Sequence, residues 1–146
     1  MRLSEQELVE MKQRSKGDCL TMDTGRFRNN MEFYNGFETE AEVELLIVEN
    51  PDYNLHIWEG YFADILANPS LSGEGWTGFT RDYHQMERTY GAENVVIDIQ
   101  EYLNDLYNYA KRTFEFEETR ACYNLLCNFL KYAEMKCNTV TVTWYD

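Results

Sequence analysis

The chain has no run approaching the ~18 apolar residues of a membrane span, so no transmembrane helix is expected. Its first residues, MRLSEQELVEMKQRSK, carry charge throughout and no apolar run, which predicts no secretory leader. Cysteine occurs four times, at Cys19, Cys122, Cys127 and Cys137, with no CxxC spacing and no dense disulfide pattern. Reduced thiols in a cytoplasmic protein are the expectation that follows. Cations are scarce: 13 Lys and Arg face 26 Asp and Glu, for a net charge of −13 and a pI near 4.5. A protein that grips a phosphate backbone or an anionic lipid surface needs clustered Lys and Arg, so direct nucleic-acid or membrane binding is not expected.

What remains is ample for a core. At 146 residues the chain makes one domain, and 44% hydrophobic content with 3 Trp, 11 Tyr and 8 Phe argues against disorder. Neither an internal repeat nor a low-complexity segment is present.

Ser4-Glu5-Gln6-Glu7 is a capping-box pattern that opens a helix over about Glu5–Lys16. Short apolar alternation between Cys19 and Gly36 predicts one or two brief strands, Cys19–Met22 and Met31–Tyr34. Thr39-Glu40-Ala41-Glu42 reads as a second box, with Val43, Leu46 and Ile47 at helical spacing. The run VELLIV is also β-branched enough for a buried strand, but the cap and the acidic lead favour helix. Leu55, Trp58, Phe62, Ile65 and Leu66 then make a helical face that ends at Asn68-Pro69. Thr80 caps a short helix carrying Phe79, Tyr83, Met86 and Tyr90, stopped by Gly91. Val95–Ile97 suits a brief strand. Asp98-Ile99-Gln100-Glu101 opens a clean amphipathic helix over about Asp98–Arg112. A short link at Thr113–Glu117 leads to a last helix over about Glu118–Lys136, and so short a link predicts antiparallel packing. Finally Val140, Val142 and Trp144 alternate with threonines as a half-buried strand. The expected architecture is α+β and mostly helical: about five helices, including the C-terminal antiparallel hairpin, packed on a small sheet that contains the C-terminal strand.

The charge is polarised. Residues 31–80 hold ten acids and no Lys or Arg, while the first thirty residues are net +1. Helix-dipole and solubility effects account for two or three of Glu38, Glu40, Glu42 and Glu44. On a helix, Glu38/Glu42 and Glu40/Glu44 would be like-charge i,i+4 pairs, each costing roughly 0.2–0.5 kcal/mol, with no nearby cation to relieve them. That pattern points to a basic partner, contacted by these four residues together with Glu49, Asp52, Glu59 and Glu74. Tyr53, Tyr61 and Trp76 fall off the apolar register or in a loop, where aromatic anchors inside a charged rim suit an interface.

Three motifs compete with that reading and fall short. Gly73-Glu74-Gly75-Trp76-Thr77-Gly78 matches GxGxxG, but a helix precedes it instead of a strand and Glu74 would repel phosphate. His56–Glu59 and His84–Glu87 are HxxE pairs that on a helix would share a face fit for a metal, in reversed order relative to di-iron bundles. No cysteine has the base or electropositive setting of a nucleophile. No metal, cofactor or catalytic residue is therefore expected. The function that follows is a small acidic inhibitor of antitoxin or immunity type. It would mask the basic site of a nucleic-acid-acting protein, such as a nuclease toxin or a nuclease defence system. The alternatives are a metal-dependent enzyme built on the HxxE pairs and an accessory subunit whose acidity serves solubility. The C-terminal strand also offers an edge for a homodimer.

Overall fold

The structure, a computed structural model, describes residues 4–7, 9–10, 23–67, 75–86 and 95–145, with backbone only at 85 and 86. Residues 5–7 and 9–10 are helical, and the box is real: the Glu7 amide donates to Ser4 Oγ at 3.2 Å while Ser4 donates to the Glu7 carboxylate. A single 3-10 turn at Thr24–Phe27 leads into strand β1, Asn30–Phe33. Strands β2, Glu42–Ile47, and β3, Asn54–Trp58, form an antiparallel pair, and β3 passes directly into helix α1, Glu59–Leu66. Then come α2, Gly78–Met86, β4, Val95–Val96, α3, Ile99–Tyr107, α4, Thr119–Met135, and β5, Val140–Tyr145. The sheet runs in the order β1-β3-β2-β5-β4, with β1 parallel to β3 and every other pairing antiparallel. This is an α+β fold.

Each strand divides its residues by pleat. Val43, Leu45 and Ile47 of β2 are fully buried, as are Leu55 and Ile57 of β3 and Val140 and Val142 of β5. They share one apolar cluster with Phe62 and Ile65 of α1, Phe79 of α2, Leu103 and Leu106 of α3, and Leu126, Phe129 and Leu130 of α4. Burying each such side chain is worth about 1.5–3 kcal/mol, so this layer of helices on one sheet face dominates stability. The opposite pleat carries Glu42, Glu44 and His56, which are partly exposed, and Thr141 and Thr143, which are buried, so β5 is buried on both pleats over residues 140–143 instead of half-buried as expected.

Two sequence expectations are overturned. Residues 42–47 are a strand: their burial alternates with period two, and β3 and β5 hydrogen-bond to the two sides of β2. The supposed helical face from Leu55 to Leu66 splits at Trp58, strand before and helix after. In both places a capping-like or 3.6-period pattern lost to pairing with β-branched neighbours. The i,i+4 repulsion inferred for Glu38/Glu42 and Glu40/Glu44 therefore does not exist.

Other expectations hold in part: α3 forms where expected but ends at Tyr107, short of Arg112. Asp98 caps α3 by accepting the Glu101 amide at 3.1 Å, and the Tyr123 hydroxyl of early α4 donates to the Leu106 carbonyl of late α3. The α2 helix begins at Gly78, two residues before the expected cap Thr80. Strand β5 is internal, lying between β2 and β4, so its hydrogen bonds need no second copy of the chain. Cys19–Met22 and Tyr90-Gly91 lie outside the described residues.

Candidate protein-binding surface

Every described acid in residues 31–80 has a partner within the chain. Glu32 pairs with Arg26 at 2.7 Å and Asp52 with Arg28 at 3.2 Å. Glu42 lies 2.9 Å from His56 Nδ1, and Glu44 lies 3.2 Å from His56 Nε2. Glu38 accepts the Gly36 amide at 3.0 Å, which holds its pKa below the ordinary carboxylate value. Glu40 accepts the Trp58 indole N–H at 3.2 Å, and Glu59 the Tyr83 hydroxyl at 2.9 Å. Glu49 accepts both the amide and the hydroxyl of Thr139, tying the end of β2 to the start of β5 and lowering its pKa. Most of these donors are neutral, so they orient the carboxylates without cancelling their charge. Glu74 lies outside the described residues.

The expected aromatic anchors are placed differently. Tyr61 is 7% exposed and belongs to the core. Tyr53 is half-buried against Phe27 and Tyr132, with the Arg28 guanidinium over its ring. Trp76 leans on His84 at 4.7 Å. None of the three is an open anchor.

A different aromatic group reaches the surface. Phe37 stacks on Trp58 at 4.1 Å with a 5° interplanar angle, and Phe116 tilts against Trp58 at 5.5 Å. Tyr61 forms the floor, edge-on to Phe37, Trp58 and Phe116. Phe37 and Trp58 are half-buried, and Phe116 is 41% exposed. Gly60 makes this arrangement possible, because a Cβ there would collide with the six-membered ring of the Trp58 indole. The turn that carries Phe37 is fastened too: the Tyr34 hydroxyl donates to the Glu38 carbonyl at 2.9 Å.

The loop that carries Phe116 is anchored from below by Asp64 of α1. This carboxylate is 6% exposed and accepts the Glu115 amide at 2.8 Å, the Phe116 amide at 2.9 Å and the Thr119 hydroxyl at 2.6 Å. Burial acts to raise the Asp64 pKa, but these donors and nearby Arg112 outweigh it and the pKa is lowered. Glu115, Glu117 and Glu118 flank Phe116, are exposed, and among the described residues their carboxylates have no hydrogen-bonding or ion-pair partner. The result is an aromatic platform fastened through its turn and its loop, with Glu38 and Glu40 beside Phe37 and Trp58 and three unpaired carboxylates adjoining Phe116 in the chain. Phe37, Trp58, Phe116, Glu117 and Glu118 were not among the expected site residues. The signal was Glu115-Phe-Glu-Glu118, an aromatic among acids in what read as a mere link.

The described residues of the competing motifs have other partners within the chain. Gly78 opens α2, but its amide is already taken by the Glu101 carboxylate at 2.8 Å, and the Thr80 amide by Asp105 at 2.8 Å. Carboxylates thus occupy the helix start where GxGxxG would need phosphate oxygens. His56 is on β3 and Glu59 in the first turn of α1, each with other partners, so that pair shares no helical face. His84 Nε2 sits 3.0 Å from the Leu66 carbonyl at the end of α1, and Glu87 lies outside the described residues. Among the described residues no group of three or more His, Cys, Asp and Glu is placed to hold a metal ion. Cys122 and Cys127 are buried, and burial pushes the Cys127 thiol up to about 11. Among the described residues no helix is long and apolar enough to cross a membrane. No family model matches the chain, and no match appears among curated proteins or solved structures.

Proposed function

We propose that this is a cytoplasmic, acidic protein-binding inhibitor of antitoxin or immunity type, acting without catalysis on a basic, nucleic-acid-acting protein. One observation carries the reading: the aromatic platform of Phe37, Trp58 and Phe116, flanked by exposed carboxylates that have no cation of their own. Apolar anchors supply contact area, and unpaired charge at the rim speeds encounter with a basic surface. Both sides of the platform are held before any partner arrives, Phe37 by its turn and Phe116 by Asp64, which lowers the ordering cost of association. The proposed contact surface accordingly differs from the expected residues between Glu38 and Trp76: it comprises Glu38, Glu40, Phe37, Trp58 and residues 115–118.

Affinity capture at low salt tests this, with the wild-type chain and a Phe116→Ala/Glu117→Lys/Glu118→Lys variant as parallel baits. A basic nuclease or other nucleic-acid-acting protein should be retained by the first and lost by the second, and released by salt. Recovery of no basic protein, or equal retention on both baits, would refute the proposal.

A further inference from the structure

The platform offers two kinds of surface at once: the exposed ring of Phe116, and the carboxylates that adjoin it in the chain. A lysine ammonium is compact and strongly hydrated and gains little from that combination. A guanidinium is planar and weakly hydrated, so its face can lie on a ring while its edge donates to oxygens. The chain shows this dual use elsewhere. The Arg120 guanidinium lies 4.4 Å from the Phe114 ring centroid and 5.3 Å from that of Tyr123. From the same position it donates to the Ala110 carbonyl at 3.0 Å and the Arg112 carbonyl at 2.6 Å. The nearest lysine counterpart, Lys136 over Tyr132, stands off at 5.9 Å. Among the described residues no cation lies over Trp58 or Phe116, although both rings adjoin carboxylates.

We infer that the group this surface receives is an arginine side chain of the partner, lying against Phe116, the exposed ring of the platform, with its edge on the surrounding carboxylates. The inference rests on the proposed basic partner and specifies its chemistry. A second copy of this chain is a poor occupant, since two chains of net charge −13 repel.

The test uses two peptides of equal length and charge, one a Gly-Ser-Arg repeat and the other a Gly-Ser-Lys repeat, titrated at low salt by calorimetry. NMR follows the Trp58 indole N–H, whose bond to Glu40 reports events at the platform. The arginine peptide should bind about two to five times more tightly than the lysine peptide and should shift the Trp58 signal. Phe116→Leu keeps apolar bulk but removes the ring, and should abolish the preference while leaving a weaker affinity common to both peptides. Equal affinities in the wild type, or a preference unchanged in Phe116→Leu, would overturn the arginine assignment and leave the basic partner standing. If neither peptide binds, both the assignment and the proposed function fall.

Discussion

Residues 31–80 carry ten acids and residues 115–118 carry three, yet the shorter stretch holds the unpaired charge. In the long block each described carboxylate is committed: to an arginine, to His56, to a helix–helix or strand–strand tie, or to a loop. In the short one, the carboxylates of Glu115, Glu117 and Glu118 bond to nothing among the described residues, because their loop is fastened through its backbone and leaves the side chains free. Composition counts charge, whereas folding decides which charges remain available to another molecule.

The sharpest way to break this comparison is Asp64→Ala. Its loss leaves two part-buried amides and a buried hydroxyl without their acceptor, and should cost about 2–4 kcal/mol in a denaturant titration. The 115–118 loop should loosen with it, seen as narrowed NMR dispersion at Phe116. A near-neutral result would mean that the loop is held by something other than Asp64.

Gly60→Ala should follow at about 1–3 kcal/mol, since the added methyl must displace the Trp58 ring from its seat under Phe37 and Phe116. A red shift in tryptophan emission would accompany the loss. An unchanged spectrum together with unchanged stability would argue that the platform is looser than its stacking indicates.

Acid should separate the two regions further. Asp64 and Glu49 have folded pKa values below their ordinary 3.8 and 4.5, so their contribution is complete above that range. It is lost as pH falls through the lowered folded values, and stability should therefore drop below about pH 4.5. Glu49→Gln removes one of these groups and should flatten part of that acid-side slope. Equal slopes in wild type and variant would show that the Thr139 bonds contribute nothing to folding.

The smallest effect is expected from Glu117→Gln and Glu118→Gln, each within about 0.5 kcal/mol of wild type. Their consequence should appear in association with a basic partner and in its salt dependence. A loss of more than 1 kcal/mol from either would reveal a structural role and remove it from the free rim.

Parts of this fold were legible because one short-range pattern had no rival. The Val–Thr alternation of β5, the Asp98 cap, and the regular stripes of α3 and α4 each read one way. β2 did not: Thr39-Glu-Ala-Glu imitates a helix start, and only the ladders with β3 and β5 exclude it. The same error propagated to function, since the inferred repulsion between Glu38 and Glu42 required a helix. Phe116 escaped notice for a related reason: its loop looked like a connector, and the residue that holds it, Asp64, is 51 positions from Glu115 and 52 from Phe116 in sequence.

By itself the sequence determined the acidity, the scarcity of cations, the α+β class and the elements whose periodicity is local. Tertiary structure decided which strand sits at the centre of the sheet, which carboxylates are spent inside the molecule, and which aromatic rings meet at the surface. The physical reason is range. Helix caps and pleat alternation act over a few residues and can be read in order along the chain. A strand's partners, a buried acceptor such as Asp64, and the meeting of Phe37, Trp58 and Phe116 depend on groups brought together only when the apolar layer closes.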